Sequence, residues 1–198
     1  EETKEYVING DTRDEADDFT PAFDYESERR AIVTRTFNYN GGAGTWNTFV
    51  LPFKMDQKET EAMLGEGVEL AYYIDCTLEG TYYTLNFERH KAGVLANRPC
   101  MVYYDSEKSL NNYVVDYAIV RGNNEKPETL DPQGVLDMIG TYKILDIPAD
   151  DIYISPDNQW KRSKGNTKLQ PTRAYFRNVS GDPEVGAKLM GFRIDDVA

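Results

Sequence analysis

Apolar and polar residues alternate with a period of two over several short stretches of the chain, the signature of half-buried strands. In 81–88, Tyr83, Leu85 and Phe87 share one face while Thr84, Asn86 and Glu88 take the other. The same period recurs in Val115, Tyr117 and Ile119, and again in Met190, Phe192 and Ile194. Further strands are expected over 30–38, 46–52, 67–76, 98–104, 139–146, 151–155 and 173–179. In the last of these, alternation sends Ala174 and Phe176 to the core and Arg173, Tyr175 and Arg177 to the opposite side. Turn chemistry punctuates the strands at Asn40-Gly41-Gly42-Ala43-Gly44, Glu79-Gly80, Gly122-Asn123-Asn124, Pro156-Asp157-Asn158 and Ser180-Gly181-Asp182-Pro183.

Only 57–64 makes a good helix. Asp56 can cap it, Glu59 stands three residues later as in a capping box, and Gly65 follows Leu64 as a stop. At about two turns it suits a lid on a sheet edge better than a layer of its own. Many short, regularly punctuated strands with one short helix imply an all-β fold, an antiparallel β-sandwich or barrel-like sandwich. The abundance of tyrosine, 14 in 198 residues, fits this reading, because a Tyr ring packs on a sheet while its hydroxyl stays wet.

Charge changes the picture at one end. The net charge is −12, yet residues 1–30 hold eleven acids against four bases, so most of the excess sits there. Residues 1–29 therefore read as an acidic, solvated N-terminal lead-in, with few backbone pairings expected over 11–28, and 30–198 as the β domain. A surface of this sign repels phosphates, which argues against a nucleic-acid partner. No apolar run approaches the roughly 20 residues that span a bilayer, so no membrane insertion is expected. The opening Glu1-Glu2-Thr3-Lys4 reads as a processed start. Cys76 and Cys100 both fall in strand-like segments and are either a cross-strand disulfide or two buried thiols.

A search for assembled chemistry finds little. The one histidine, His90, is flanked by charges at a strand end and reads as a surface residue. There is no Gly-x-Ser-x-Gly elbow for a serine hydrolase. One His and two separated Cys cannot supply four zinc ligands. Asp11, Asp14, Asp17 and Asp18 lack calcium-loop spacing and read as solvated acids, and no cofactor is implied. The glycine-rich loop at 40–44 leads into a strand rather than a helix, so it reads as a hairpin turn and not a phosphate cradle. A pair of carboxylates for glycoside cleavage is compatible with 34 acids, but nothing selects a pair. The best recognition candidate is 153–163, where Tyr153, Trp160, Lys161 and Arg162 cluster about a turn, residue types that favour interface anchoring and sugar stacking.

One succession of segments has a familiar look. Thr45-Trp46-Asn47-Thr48-Phe49-Val50-Leu51-Pro52-Phe53 is followed by the short helix and Gly65-Glu66-Gly67-Val68. Then come Lys91-Ala92-Gly93-Val94-Leu95-Ala96-Asn97-Arg98-Pro99, the turn-like Ile139-Gly140-Thr141-Tyr142, Asp151-Ile152-Tyr153-Ile154-Ser155 and Pro171-Thr172-Arg173-Ala174-Tyr175-Phe176. In their ordered succession they resemble a β-domain of secreted and surface proteins of gut Bacteroidetes. The likeness runs over roughly 30–195. Cys100 departs from it, standing where that family has Tyr after Pro, as does the longer Leu95-Ala96-Asn97 step. The resemblance implies an exported, extracytoplasmic all-β module and no particular activity. Trp46, Leu51, Pro52 and Phe53 read as core and corner residues of a sandwich. The expected function is a secreted or cell-surface binding, adhesion or structural module, taking a glycan or a host or surface protein. The alternative is a carbohydrate-active enzyme using two carboxylates.

Overall fold

A computed structural model describes residues 4–25, 27–122 and 125–196. Glu1, Glu2, Thr3 and Glu26 of the acidic lead-in, the expected turn residues Asn123 and Asn124, and Val197 and Ala198 lie outside the described residues. The first half of the chain forms β1 (Glu5–Asn9), β2 (Arg29–Thr36), β3 (Thr45–Phe49), α1 (Gln57–Leu64), β4 (Leu70–Glu79), β5 (Tyr82–Arg89) and β6 (Cys100–Tyr104). Then follow β7 (Ser109–Ala118), β8 (Glu128–Thr129), β9 (Leu136–Thr141), β10 (Leu145–Ile147) and β11 (Ile152–Ile154). The chain continues with β12 (Trp160–Arg162), β13 (Thr167–Leu169), β14 (Arg173–Asn178), a single 3-10 turn at Gly186–Lys188, and β15 (Leu189–Asp196).

These strands build an all-β sandwich, and its layers are more than two. A first sheet runs β1-β2-β7, a central sheet β15-β5-β4-β6-β3, and a far sheet β12-β11-β14-β9-β8, with β10 and β13 forming a separate ribbon. The central sheet is buried on both faces. On β4, Leu70 and Tyr72 enter a core shared with Ile8, Val33 and Val115 of the first sheet. Ala71, Tyr73 and Cys76 enter a second core with Met138, Ile152 and Phe176 of the far sheet. Strands covered on both faces show continuous apolar runs, as Leu70-Ala71-Tyr72-Tyr73 and Cys100-Met101-Val102 do, instead of alternation. A bulge at Ile74, between the Tyr73–Phe87 and Asp75–Asn86 pairs, restores Cys76 to the second core. Outside the far sheet, Tyr175 and Ile139 pack on Ile147 of the ribbon.

This layering adjusts the expectation for β14. Ala174 and Phe176 face the second core and Tyr175 the other side, as alternation requires, but that other side is buried too. Gly140, read as part of a turn, lies inside β9, where an added Cβ would sit 2.8 Å from the Pro127 carbonyl oxygen. The 40–44 loop is not a hairpin: β2 and β3 belong to different sheets, and the loop crosses between them. Leu51 and Phe53 are fully buried in the first core, and Trp46 is half-buried against the second.

Two pairings depart from the antiparallel expectation. β1 lies parallel to β2, and β15 lies parallel to β5. β1 also draws the acidic lead-in into the domain, because Tyr6 and Ile8 are core residues. Of the following acids Asp11 is anchored on β2, while the side chains of Asp14 and Asp18 are exposed and make only local turns. Asp11 accepts from the Thr36 amide at 2.8 Å and its hydroxyl at 2.7 Å, and Asp14 and Asp18 accept the amides of Ala16 and Thr20.

A buried arginine joins the layers near this anchor. Arg35 is fully buried, and its Nη1 donates to the Thr172 carbonyl at 2.7 Å and the Thr172 hydroxyl at 3.0 Å. Its Nη2 donates to the Thr48 carbonyl at 2.9 Å and its Nε to the Thr36 carbonyl at 3.2 Å. Thr172 adopts a left-handed φ of 64°, so Arg35 helps to hold a backbone turn that a β-branched residue disfavours.

Candidate functional site

An open groove lies where α1 meets the exit of β5. Asp56 accepts from the Glu59 amide at 2.7 Å while the Glu59 carboxylate accepts from the Asp56 amide, which starts α1 as the sequence requires. The helix ends at Gly65, whose φ of 118° suits a residue without a Cβ. The strap 65–69 then folds back, Gly67 taking φ 70°, and enters β4. The Tyr103 amide bonds to the Glu69 carbonyl at 3.3 Å and the His90 amide to the Leu70 carbonyl at 3.2 Å, which fixes both walls.

The Gly93 segment ties the start of α1 to the chain that leaves β5. The Met55 amide donates to the Val94 carbonyl at 2.9 Å, and the Val94 amide to the Thr60 hydroxyl of α1 at 3.1 Å. Gly93 has φ 84°, and a Cβ there would stand 2.2 Å from the Met55 carbonyl oxygen. Only glycine permits this approach of the loop to the helix start.

The resulting groove has a volume of about 1010 Å³ and is walled by Gln57, Glu61, Glu69, Arg89, His90 and Lys91 over an apolar base that includes Val68 and Leu70. Its polar groups come in donor–acceptor pairs. Gln57 Nε2 donates to Glu61 at 3.0 Å, and Arg89 Nη2 lies 3.8 Å from Glu69. Lys91 is exposed at the rim. His90 is half-buried in the wall of this groove. Its ring meets Tyr72 edge-on at 5.1 Å, and its Nδ1 accepts from the Ala92 amide at 3.2 Å, which assigns the proton of the neutral ring to Nε2. Behind it, the Tyr72 hydroxyl donates to the Gly93 carbonyl at 3.1 Å and accepts from the Leu95 amide at 2.8 Å. Burial pushes that phenol well above its ordinary pKa, so it acts as a fixed hydrogen-bonding post. A smaller, polar groove of about 410 Å³ lies along the other side of the strap, between it and Tyr103–Lys108.

The four residues singled out in 153–163 do not form one cluster: the hairpin splits them into Tyr153 with Lys161 on one face and Trp160 with Arg162 on the other. In the β11–β12 pairing Tyr153 stands opposite Lys161, and Ile154 opposite Trp160. Trp160 packs into the second core, 5.4 Å from Phe176 and 5.8 Å from Phe192. Tyr153 is on the other face, against the core formed by Ile139, Ile147 and Tyr175. Lys161 pairs with Asp157 at 3.6 Å, and Arg162 with Asp150 at 2.9 Å and Glu184 at 3.8 Å. Alternation along the hairpin thus separates the two aromatic rings.

The buried carboxylates are taken up by the backbone. Asp131 accepts from the amides of Cys76, Gln133, Val135 and Leu136, and Asp137 accepts from the Asp131 amide at 2.7 Å. They tie the 131–136 turn to the central sheet. Among the described residues no three or more His, Cys, Asp or Glu side chains converge as a metal site would need. No described helix is long and apolar enough to cross a membrane.

The groove was not read from the sequence, although Arg89-His90-Lys91 is the one run of three basic-type side chains in an acidic chain. That run was the available signal; its partners on α1 and the strap lie 20 to 34 positions earlier and meet it only in the fold. Compared with known proteins, this chain matches no protein family, no curated protein and no solved structure.

Proposed function

We propose that this chain is a secreted or cell-surface binding module of the adhesion type, and that the groove between α1 and the β5 exit takes a glycan. The observation that carries this reading is the groove itself. Its volume suits a ligand of a few sugar rings, and the Gln57–Glu61 and Glu69–Arg89 pairs set donors beside acceptors along its walls. Neighbouring sugar hydroxyls each donate and accept, so such pairs match them better than a single charge does. Lys91 at the rim favours glycans that carry a carboxylate or sulfate. The ordered motifs from Trp46 to Phe176, similar to those of exported Bacteroidetes domains, support a location outside the cytoplasm.

A glycan array probed with the purified protein, beside a panel of matrix proteins, tests this. Binding to a restricted set of glycans, weakened by Gln57→Ala and by Arg89→Ala, is the expected result. Equal binding by wild type and both variants, or binding to matrix proteins alone, would overturn the assignment of the groove. Shortening of the bound glycan during incubation would move the reading to a carbohydrate-active enzyme.

A further inference from the structure

The last strand is seated specifically but held weakly. β15 is an edge strand, one of only two paired in parallel among the described residues, and its register with β5 is interrupted between Leu189 and Gly191. No side chain from 189 to 195 is fully buried, and Met190 is 70% exposed. Asp195 stands directly opposite Glu88, a like-charge pair that opposes the pairing.

The seat beneath it is nevertheless shaped for this strand. Phe192 drops among three rings, with centroids 5.9 Å from Trp46, 6.0 Å from Phe87 and 5.8 Å from Trp160. On the other face Arg193 Nη2 donates to Glu79 at 2.7 Å and to Asn86 at 3.1 Å, and Asn86 is held in turn by Asp75 and Thr77. Without β15, the second core would lose the cover of its aromatic row. The strand hangs on a short hinge: Val185 is buried in the second core, and only the single 3-10 turn Gly186–Lys188 separates it from Leu189.

We propose that β15 is an exchangeable strand, and that residues 189–196 of one copy seat on β5 of a second copy in the same parallel register, giving a strand-swapped dimer. Every contact of the seat is reproduced in the swapped form, so the exchange is governed by the opening of the hinge turn and by protein concentration. The partner is a second copy because the seat reads this chain's own pattern, Phe192 for the aromatic row and Arg193 for Glu79 and Asn86. The β5 edge is thereby an assembly surface that meets the groove at Arg89, the register partner of Asp196.

Paired cysteines test it. Glu88→Cys and Asp195→Cys are placed in separate chains, which removes only the repelling pair, and the two are mixed at high concentration, warmed below the melting point, cooled and oxidised. A disulfide-linked heterodimer in excess over either homodimer is expected. The double variant in one chain should close internally and stay monomeric, and Phe192→Ala in the Asp195→Cys chain should abolish the heterodimer. Internal closure of the double variant without a heterodimer from the mixture would overturn the exchange. Failure of the double variant to close would overturn the seat, and the proposal with it. Glycan binding by the groove is read separately and survives either failure.

Discussion

Cys76 and Cys100 lie on neighbouring strands of the central sheet but on opposite faces of it. Tyr72, not Cys76, is the residue of β4 that pairs with Cys100, and the two sulfurs belong to different cores. No disulfide can form through the sheet. Burial pushes each thiol up to about 12, so neither is a thiolate at neutral pH. A thiol reagent should therefore find no reactive cysteine in the native protein and both in denaturant. Oxidising conditions should leave the melting temperature unchanged.

Phe176 and Arg177 should separate sharply. Phe176 is fully buried between Tyr73 at 5.4 Å and Trp160 at 5.4 Å, and its truncation to Ala should cost about 3–5 kcal/mol. Arg177 is exposed, and Arg177→Ala should stay within about 0.5 kcal/mol. Denaturant melts of the two variants check this, and the reverse order would mean that the strand register is wrong.

Arg35→Met should destabilise the fold by about 1–3 kcal/mol, since it removes the guanidinium donor from the Thr48 carbonyl and from the carbonyl and hydroxyl of the fully buried Thr172. Arg35→Lys should recover little of this, because one ammonium cannot reach acceptors set for a planar fork. Urea midpoints of the two variants and the wild type are the measurement. Full rescue by Lys would show that charge, not geometry, is what Arg35 supplies.

Asp151 gives stability a pH dependence of its own. Burial raises its pKa above the usual carboxylate value, although its carboxylate accepts from the Asn178 amide at 2.9 Å. The folded state then binds this proton more tightly than the unfolded chain does. The stabilisation is complete below the unfolded value of about 4 and is lost as pH rises through the higher folded value. Asp151→Asn keeps an acceptor and cannot titrate. Thermal melts from about pH 3 upward should show the wild type losing ground against this variant as pH rises; parallel curves would contradict the assignment.

What the sequence disclosed was local in origin. Asp56, Glu59 and Gly65 delimit α1 because capping needs only near neighbours, and the alternation of Tyr83, Leu85 and Phe87 marks β5 for the same reason. The layering was hidden, because a strand covered on both faces loses its alternation and Leu70-Ala71-Tyr72-Tyr73 reads only as apolar. β1 escaped notice because two inward residues, Tyr6 and Ile8, sit in a strongly acidic stretch whose charge dominates the reading. For the site, residue type misled: Trp160 and Arg162 resemble a binding pair, but their partners Phe176, Asp150 and Glu184 are distant in sequence. The groove escaped because Gln57, Glu69 and Arg89 carry no motif and acquire meaning only by meeting.

The central sheet's place in the chain also sets an order of assembly. β3, β4, β5 and β6 all fall within 45–104, whereas β2 and β7, which pair with one another, flank that stretch on either side. Closing the β2–β7 ladder first would mean fixing the ends of a long floating loop, at an entropic cost that nothing yet offsets. Once β4, β5 and β6 have paired through their short connections, that loop is already shortened and the ladder can zip. The three-stranded unit β5-β4-β6, with β4 at its centre, is thus the natural folding nucleus, and substitutions there should slow refolding while those in β1 or β15 chiefly speed unfolding.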